Sequence, residues 1–317
     1  EHDITLTSDN FLLAVREEIE EARDKDPKEN PKQILGLIAP TIIERVQSLD
    51  ENAKTELVLS LLGRALNKDL KFYFRDGDLQ SFIENTPFSG SVYDLPDVFN
   101  GDYLAVVNAN IAGGKTDIFI DQNITLNSSI TPGGNIQNEL TIERRHFGQN
   151  EEQELYRKTN QNFIKIFTPL GTTLNSESGA DNKTIRPRVN YDEEGYSADH
   201  TLQEIESTFV DINNSDIDRY LESEKNVFAG WFITPAGETR TLKLNYSRGE
   251  LFIGQGAKYQ FVFDKQSGVE SSLNYTITAP DGYVWKESGS EEYSYRTDSI
   301  QSRLVLNLTL VKDAEGY

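Results

Sequence analysis

The sequence predicts an α+β, multidomain protein: a helical head completing a truncated α/β domain, followed by one or two antiparallel β-sandwich units. Three observations carry this. Apolar residues recur at helical spacing as far as about Leu66, and from Gly101 the period changes to two and stays there. One strand, Val227-Phe-Ala-Gly-Trp-Phe-Ile233, is apolar on both faces, as a strand buried between two layers is. The expected divisions are 1–92 for the head, 93–101 for a linker, 102–248 for a sandwich, and 249–317 for a small β domain or the closing strands of that sandwich.

In the head, Ser8 or Asp9 is placed to cap a helix carrying Phe11, Leu12, Val15 and Ile19 on one face, with Glu17, Glu18, Glu20 and Glu21 largely turned to water. Asn30-Pro31 reads as a cap followed by proline at the first helical position. Behind it come Ile34, Leu35, Ile38, Ile42, Ile43 and Val46, with a kink or restart expected at Pro40. A third helix starts near Glu51 and presents Leu57, Leu61, Leu62 and Leu66. Leu70–Phe74 reads as a buried strand, and Asp78 as the cap of a short helix through Phe82 and Ile83. A lone strand needs partners, so the head reads as the end of an α/β domain.

Residues 86–101 have linker composition. Beyond them Ile118, Ile120, Ile124 and Leu126 alternate with polar residues, and Thr131-Pro-Gly-Gly134 turns the chain toward Leu140 and Ile142. Phe163–Phe167 is another strand, and Asn226–Tyr246 is a hairpin turning at Pro235-Ala-Gly237. The polar span 171–225 is the longest region of expected low order, with a strand or short helix within Leu202–Phe209. Strands resume at Tyr259–Phe263, Leu273–Ile277 and Leu304–Leu310.

Composition bounds the function. Net charge is -21 and Lys and Arg are scattered, so the surface repels nucleic acid, whose binding needs clustered cations. The longest apolar run, Ile34–Ile43, is interrupted by Pro40 and is far shorter than the ~20 residues of a membrane span. There is no Cys, which excludes disulfides, thiolate metal sites and cysteine nucleophiles. There is no Met either, so Glu1 reads as the start of an excised or processed piece, with a signal or anchor expected upstream.

Two sets of residues could carry binding. Asn108, Asn110, Gly113, Gly114 and Lys115 form an Asn- and Gly-rich turn able to offer backbone N–H groups and an ammonium to an anion. The spacing is not that of a P-loop and a strand follows, so a β-turn with positive-φ residues is the stronger reading. Arg144 and His146 share one face of a strand and extend this candidate ligand site, against the plainer reading of a solvated charge ladder. Asp211, Asn213, Ser215 and Glu222 fall on positions 1, 3, 5 and 12 of a calcium loop, but Asp216 replaces the turn glycine and Asp218 the apolar anchor. No cofactor is expected, with calcium as the alternative. No triad, zinc site or carboxylate couple stands out, so no catalytic residue is assigned. Asn-x-Ser/Thr occurs at Asn123, Asn127, Asn182, Asn213, Asn245, Asn274 and Asn307, which an Asn-rich chain produces by chance.

Read together, Asp102-Tyr-Leu-Ala-Val-Val-Asn-Ala-Asn-Ile-Ala-Gly-Gly-Lys115, Leu140-Thr-Ile-Glu-Arg-Arg-His146 and Asn226–Arg240 resemble, in order and spacing, the carboxyl-terminal half of the bacterial domain-of-unknown-function family 4012. The head is similar to its middle region at Ile4–Phe11, Asn30–Leu35 and Phe72–Leu79. The resemblance implies an extracytoplasmic, cell-surface protein anchored by an amino-terminal helix that precedes this chain, and brings no activity or catalytic residue with it. The expected function is a non-catalytic module that binds or scaffolds envelope components, with glycopolymer or surface proteins as partners and no direct membrane contact. The alternatives are part of an envelope glycopolymer-processing, phosphotransferase-like enzyme with its active site mostly upstream, and a calcium-dependent adhesin.

Overall fold

A computed structural model describes residues 4–25, 30, 32–84, 86, 88–185, 189–191, 193–300 and 302–313. The chain divides into two compact units, Glu1–Gly63 and Arg64–Tyr317.

The first unit holds α1 (Phe11–Lys25), α2 (Gln33–Gln47) and most of α3 (Glu51–Leu66). The cap of α1 lies earlier than Ser8 or Asp9. Thr7 Oγ1 accepts from the Asn10 N–H at 3.3 Å while Asn10 Oδ1 accepts from the Thr7 N–H at 2.7 Å, a reciprocal pair that satisfies two otherwise orphaned donors. Asn30 Oδ1 accepts from the Lys32 N–H at 3.1 Å ahead of α2; the proline expected at its first position, Pro31, lies outside the described residues. α2 runs unbroken through Pro40, forgoing one hydrogen bond rather than restarting. Asp50 caps α3 by accepting from the Ala53 N–H at 2.8 Å.

In the second unit α4 (Gly77–Glu84) is capped by Asp76, not Asp78: its Oδ1 accepts from the N–H groups of Asp78 and Leu79. Leu70–Phe74 is not a strand. Phe72 N–H bonds the Phe88 carbonyl, the run joins no sheet, and Tyr73 is 79% exposed. Its aromatic composition mimics a strand, but a strand is fixed by its neighbours.

The strands are β1 (Gly101–Asn110), β2 (Ile120–Ile130), β3 (Ile136–His146), β4 (Asn160–Thr168) and β5 (Thr173–Ser178). After α5 (His200–Ser207), the helix within the polar span, come β6 (Ile217–Glu222), β7 (Lys225–Thr234), β8 (Thr239–Arg248), β9 (Lys258–Asp264) and β10 (Ser271–Thr278). β11 (Tyr283–Trp285), β12 (Glu292–Thr297) and β13 (Arg303–Lys312) complete the set. They form a seven-stranded sheet in the order β11-β13-β9-β1-β4-β7-β6 and a six-stranded sheet in the order β12-β10-β2-β3-β8-β5.

The sheets are mixed rather than purely antiparallel. β9 lies parallel to β1 and β10 parallel to β2. The reason is topological: β9 and β10 retrace the crossing that β1 and β2 make from one sheet to the other. Strands from 249–317 are thereby threaded into both sheets.

Inward-facing residues alternate with polar ones along β2, β3, β8 and β10. Ile124, Leu126, Leu140, Ile142, Leu242 and Leu244 from one sheet meet Leu104, Val106, Ile164, Ile166, Phe228 and Phe261 from the other in a single core. Each such side chain contributes roughly 1.5–3 kcal/mol relative to exposure.

β7 is buried on both faces because the seven-stranded sheet is a middle layer. Its Phe228 and Phe232 enter the sandwich core. On the outer face Val227 and Ala229 join Tyr103, Phe167 and Val262 beneath Tyr93, Leu95 and Phe99, so the segment of linker composition is a covering layer. On the same outer face an ion pair ties the segment after α3 to β9: Lys68 Nζ lies 2.5 Å from Asp264 Oδ1, with both side chains buried. Tyr103 donates to Asp264 Oδ2 at 3.4 Å, Arg303 Nε is 3.4 Å from Oδ1, and the Arg303 guanidinium sits 4.1 Å from the centre of the Tyr93 ring. Burial pulls the Lys68 ammonium below its ordinary pKa, opposed by the Asp264 charge.

Candidate functional site

The parity of β1 and β3 decides where the nominated residues go. Asn108 shares the inward row of Leu104 and Val106, and Arg144 and His146 share that of Leu140 and Ile142. The charge-ladder expectation fails for this reason: the shared face of Arg144 and His146 is the one turned into the protein.

The structure places Asn108 with Arg144 and Asn110 with Asp117 in two hydrogen-bonded sets, linked by the attraction between Arg144 and Asp117. Asn108 Oδ1 accepts from Arg144 Nη1 at 3.1 Å and from Asn162 Nδ2 at 2.9 Å. Its backbone N–H and carbonyl are both taken by the Gln266 amide at 2.8 Å. Asn110 Nδ2 donates to Thr116 Oγ1 and Asp117 Oδ2, and Asn160 Nδ2 donates to Thr116 Oγ1 and Asp117 Oδ1. Arg144 is 2% exposed, and burial lowers its pKa to about 10 against the pull of the Asp117 charge.

His146 has both ring nitrogens occupied. The Gly148 N–H donates to Nδ1 at 3.1 Å and Nε2 lies 3.0 Å from the Lys158 carbonyl, which together define the neutral ring with its hydrogen on Nε2. It is a satisfied core histidine.

The two glycines are packing residues. A Cβ on Gly113 would stand 2.1 Å from Asn110 Oδ1 and 2.5 Å from the Gln161 nitrogen; one on Gly114, at φ +74°, would stand 2.5 Å from the Leu155 carbonyl oxygen. The turn is pressed against residues 155–161, and the Lys115 N–H is spent on the Leu155 carbonyl at 3.2 Å. The Lys115 side chain is exposed.

Two of the proposed calcium positions have partners of their own. Glu222 Oε2 pairs with Lys165 Nζ at 2.6 Å, across the β6–β7–β4 ladder, and Ser215 Oγ accepts from the Ile217 N–H at 3.0 Å. Asp211 and Asn213 are exposed. Burial and the Asp211 charge raise the Asp218 pKa. Among the described residues no group of three or more His, Asp or Glu side chains is placed to hold a metal ion.

A second polar cluster, outside the residues singled out from the sequence, lies at the other end of the inward row of β1. Asp102 is 1% exposed; its Oδ2 accepts from Asn138 Nδ2 at 2.7 Å and its Oδ1 from the Tyr103 N–H at 2.9 Å. Asn138 Oδ1 accepts from Ser128 Oγ at 2.6 Å, and the hydroxyls of Tyr259 and Tyr275 are 3.0 Å apart. The signal was present, since Asp102 stands two residues before Leu104.

If Arg144 is a structural cation rather than an exposed anion receptor, Arg144→Met should be tolerated. Among the described residues Arg144 makes no ion pair, so an apolar side chain of similar volume removes the cost of burying its charge, and Asn108 Oδ1 keeps its Asn162 donor. The expected change in unfolding free energy is within about 1.5 kcal/mol, by urea titration; a loss of ~3 kcal/mol or more would show that the guanidinium is required.

No family model matches the chain, and no curated protein matches it in sequence. Among solved structures it is similar to a candidate nutrient-binding protein from Legionella pneumophila, at 11% identity and a TM-score of 0.34, covering 67% of this chain and 72% of that one. It is also similar to a candidate protease from Parabacteroides distasonis, at 10% identity and a TM-score of 0.24, covering 64% of this chain and 38% of that one. Likenesses this loose carry no argument about function.

Proposed function

We propose that the chain is a non-catalytic binding or scaffolding module of a bacterial cell-envelope protein, resembling the family 4012 proteins, and that it meets hydroxyl-rich envelope polymer through the outer face of the six-stranded sheet. The observation that carries this is the composition of that face. Ladder register aligns Arg296, Asn274, Thr125, Thr141, Lys243 and Ser178 in one row across six strands, and Ser294, Thr276, Asn127, Glu139, Asn245 and Ser176 in the next. Neither row contains an apolar side chain. With strands ~4.8 Å apart, these amides and hydroxyls form a regular grid of donors and acceptors suited to a polyhydroxylated chain lying across it. The same register explains the Asn-x-Ser/Thr triplets at Asn123, Asn127, Asn245 and Asn274: residues i and i+2 of a strand share a face, and this face is built from Asn, Ser and Thr.

The test is co-sedimentation of the purified protein with isolated envelope glycopolymer. Wild type is expected to bind, and the triple variant Asn127→Ala, Asn245→Ala, Asn274→Ala to bind at least about tenfold more weakly, since each lost hydrogen bond is worth roughly 1 kcal/mol. Absence of wild-type binding, or equal binding by the folded triple variant, would contradict the reading.

A further inference from the structure

We infer that Asp102 and the groups around it form a proton-operated lock between the two sheets, tightening the sandwich as the medium becomes mildly acidic. The geometry carries the idea. Asp102 stands on the seven-stranded sheet, and its carboxylate is held by Asn138 of the six-stranded sheet, which holds Ser128 beside it. The groups that face Asp102 are Asn138 on β3, Tyr246 and Arg248 on β8, Tyr259 on β9 and Tyr275 on β10. Three of these are phenols, neutral throughout the physiological range, with ionisation pushed further up by burial.

The one cation of the group, Arg248, makes no ion pair with Asp102; it donates through Nη2 to the Gly101 carbonyl, and its Nε is buried without a hydrogen-bond partner. The Tyr246 hydroxyl is buried and equally without one. A carboxylate this enclosed carries its charge at a cost. Protonated, it gains a donor, and the Tyr246 hydroxyl, whose ionisation the Asp102 charge opposes, is a buried oxygen without a partner. Proton uptake and closure of the polar layer therefore favour each other.

The direction follows from linkage. Burial raises the Asp102 pKa from 3.8 to about 6, with Arg248, the Tyr103 N–H and Asn138 opposing. A folded-state pKa above the unfolded one means the folded protein holds the proton more tightly. The contribution is complete below the unfolded value and is lost as pH rises through the folded value. The window is about pH 4 to 6.

The experiment compares wild type with Asp102→Asn, which keeps the shape and, like the protonated acid, offers one carbonyl acceptor and a donor without titrating. Urea unfolding is measured at pH 4, 5, 6 and 7.5. Other carboxylates titrate in both proteins and cancel in the ratio. The wild-type folding constant, divided by that of the variant, is expected to fall about a hundredfold from pH 4 to pH 7.5. A ratio independent of pH overturns the lock. Should the variant fail to fold, the carbonyl carbon-13 shift of Asp102 in wild type decides: titration near pH 6 supports the inference, and titration near pH 4 ends it.

Discussion

Asp264→Ala should destabilise the second unit by about 3–5 kcal/mol, the usual result of removing one partner from a buried ion pair. Asp264 is the single carboxylate serving two enclosed cations. Lys68 and Arg303 both lie within 3.4 Å of its Oδ1, with side chains 7% and 14% exposed. Removing the carboxylate leaves two positive charges in a region of low polarity, and it releases the Tyr103 hydroxyl as well. Lys68→Met is the informative companion. It deletes one cation, keeps the Arg303 partner and fills similar volume, so its cost should stay well below that of Asp264→Ala. Urea midpoints of the two variants give the comparison. If Lys68→Met costs as much as Asp264→Ala, the segment after α3 is held by the lysine itself and not by neutralisation of Asp264.

Trp285→Ala should cost about 3–5 kcal/mol, as for other buried Trp truncations. Trp285 is fully buried, donates from Nε1 to the Ile277 carbonyl at 3.1 Å and lies against the Tyr259 ring at 5.7 Å between centroids. It belongs to β11 at the rim of the seven-stranded sheet, yet its indole bonds β10 of the opposite sheet. Truncation opens a cavity, orphans a carbonyl and cuts a tie between the layers. Thermal unfolding of the variant should show a large drop in midpoint, still in one transition. A change below 1 kcal/mol would mean that the rim around β11 collapses to fill the space.

Helix and strand placement was legible wherever periodicity was unambiguous. α2, α3, β2, β3, β7 and β8 follow from apolar spacing alone, whereas α2 begins two residues later than a cap at Asn30 predicts, with Lys32 in the N-cap position. What failed is what depends on a distant partner. Leu70–Phe74 has strand-like residues but no strand beside it. The stretch around Tyr93, Leu95 and Phe99 has turn-forming neighbours and still covers a sheet, because three apolar side chains suffice to hold it there. Parallel pairing of β1 with β9 joins residues about 160 positions apart, which no local pattern encodes. In the nominated site Asn108 accepts from Arg144, while Asn110, on the same face of β1, binds Asp117. An amide on an inward row looks the same in sequence as one turned to a ligand, so its bonding there is not legible from spacing.

Because β9 and β10 are threaded beside β1 and β2 around one core, the two sheets should unfold as a single cooperative unit. Native-state hydrogen exchange under mild denaturant tests it most directly, by comparing amides of β2 with those of the parallel β10 beside it. The two strands are expected to lose protection together, at a single opening free energy. Early, independent exchange of β10 while β2 stays protected would show that 249–317 folds as a separate domain, and would contradict it.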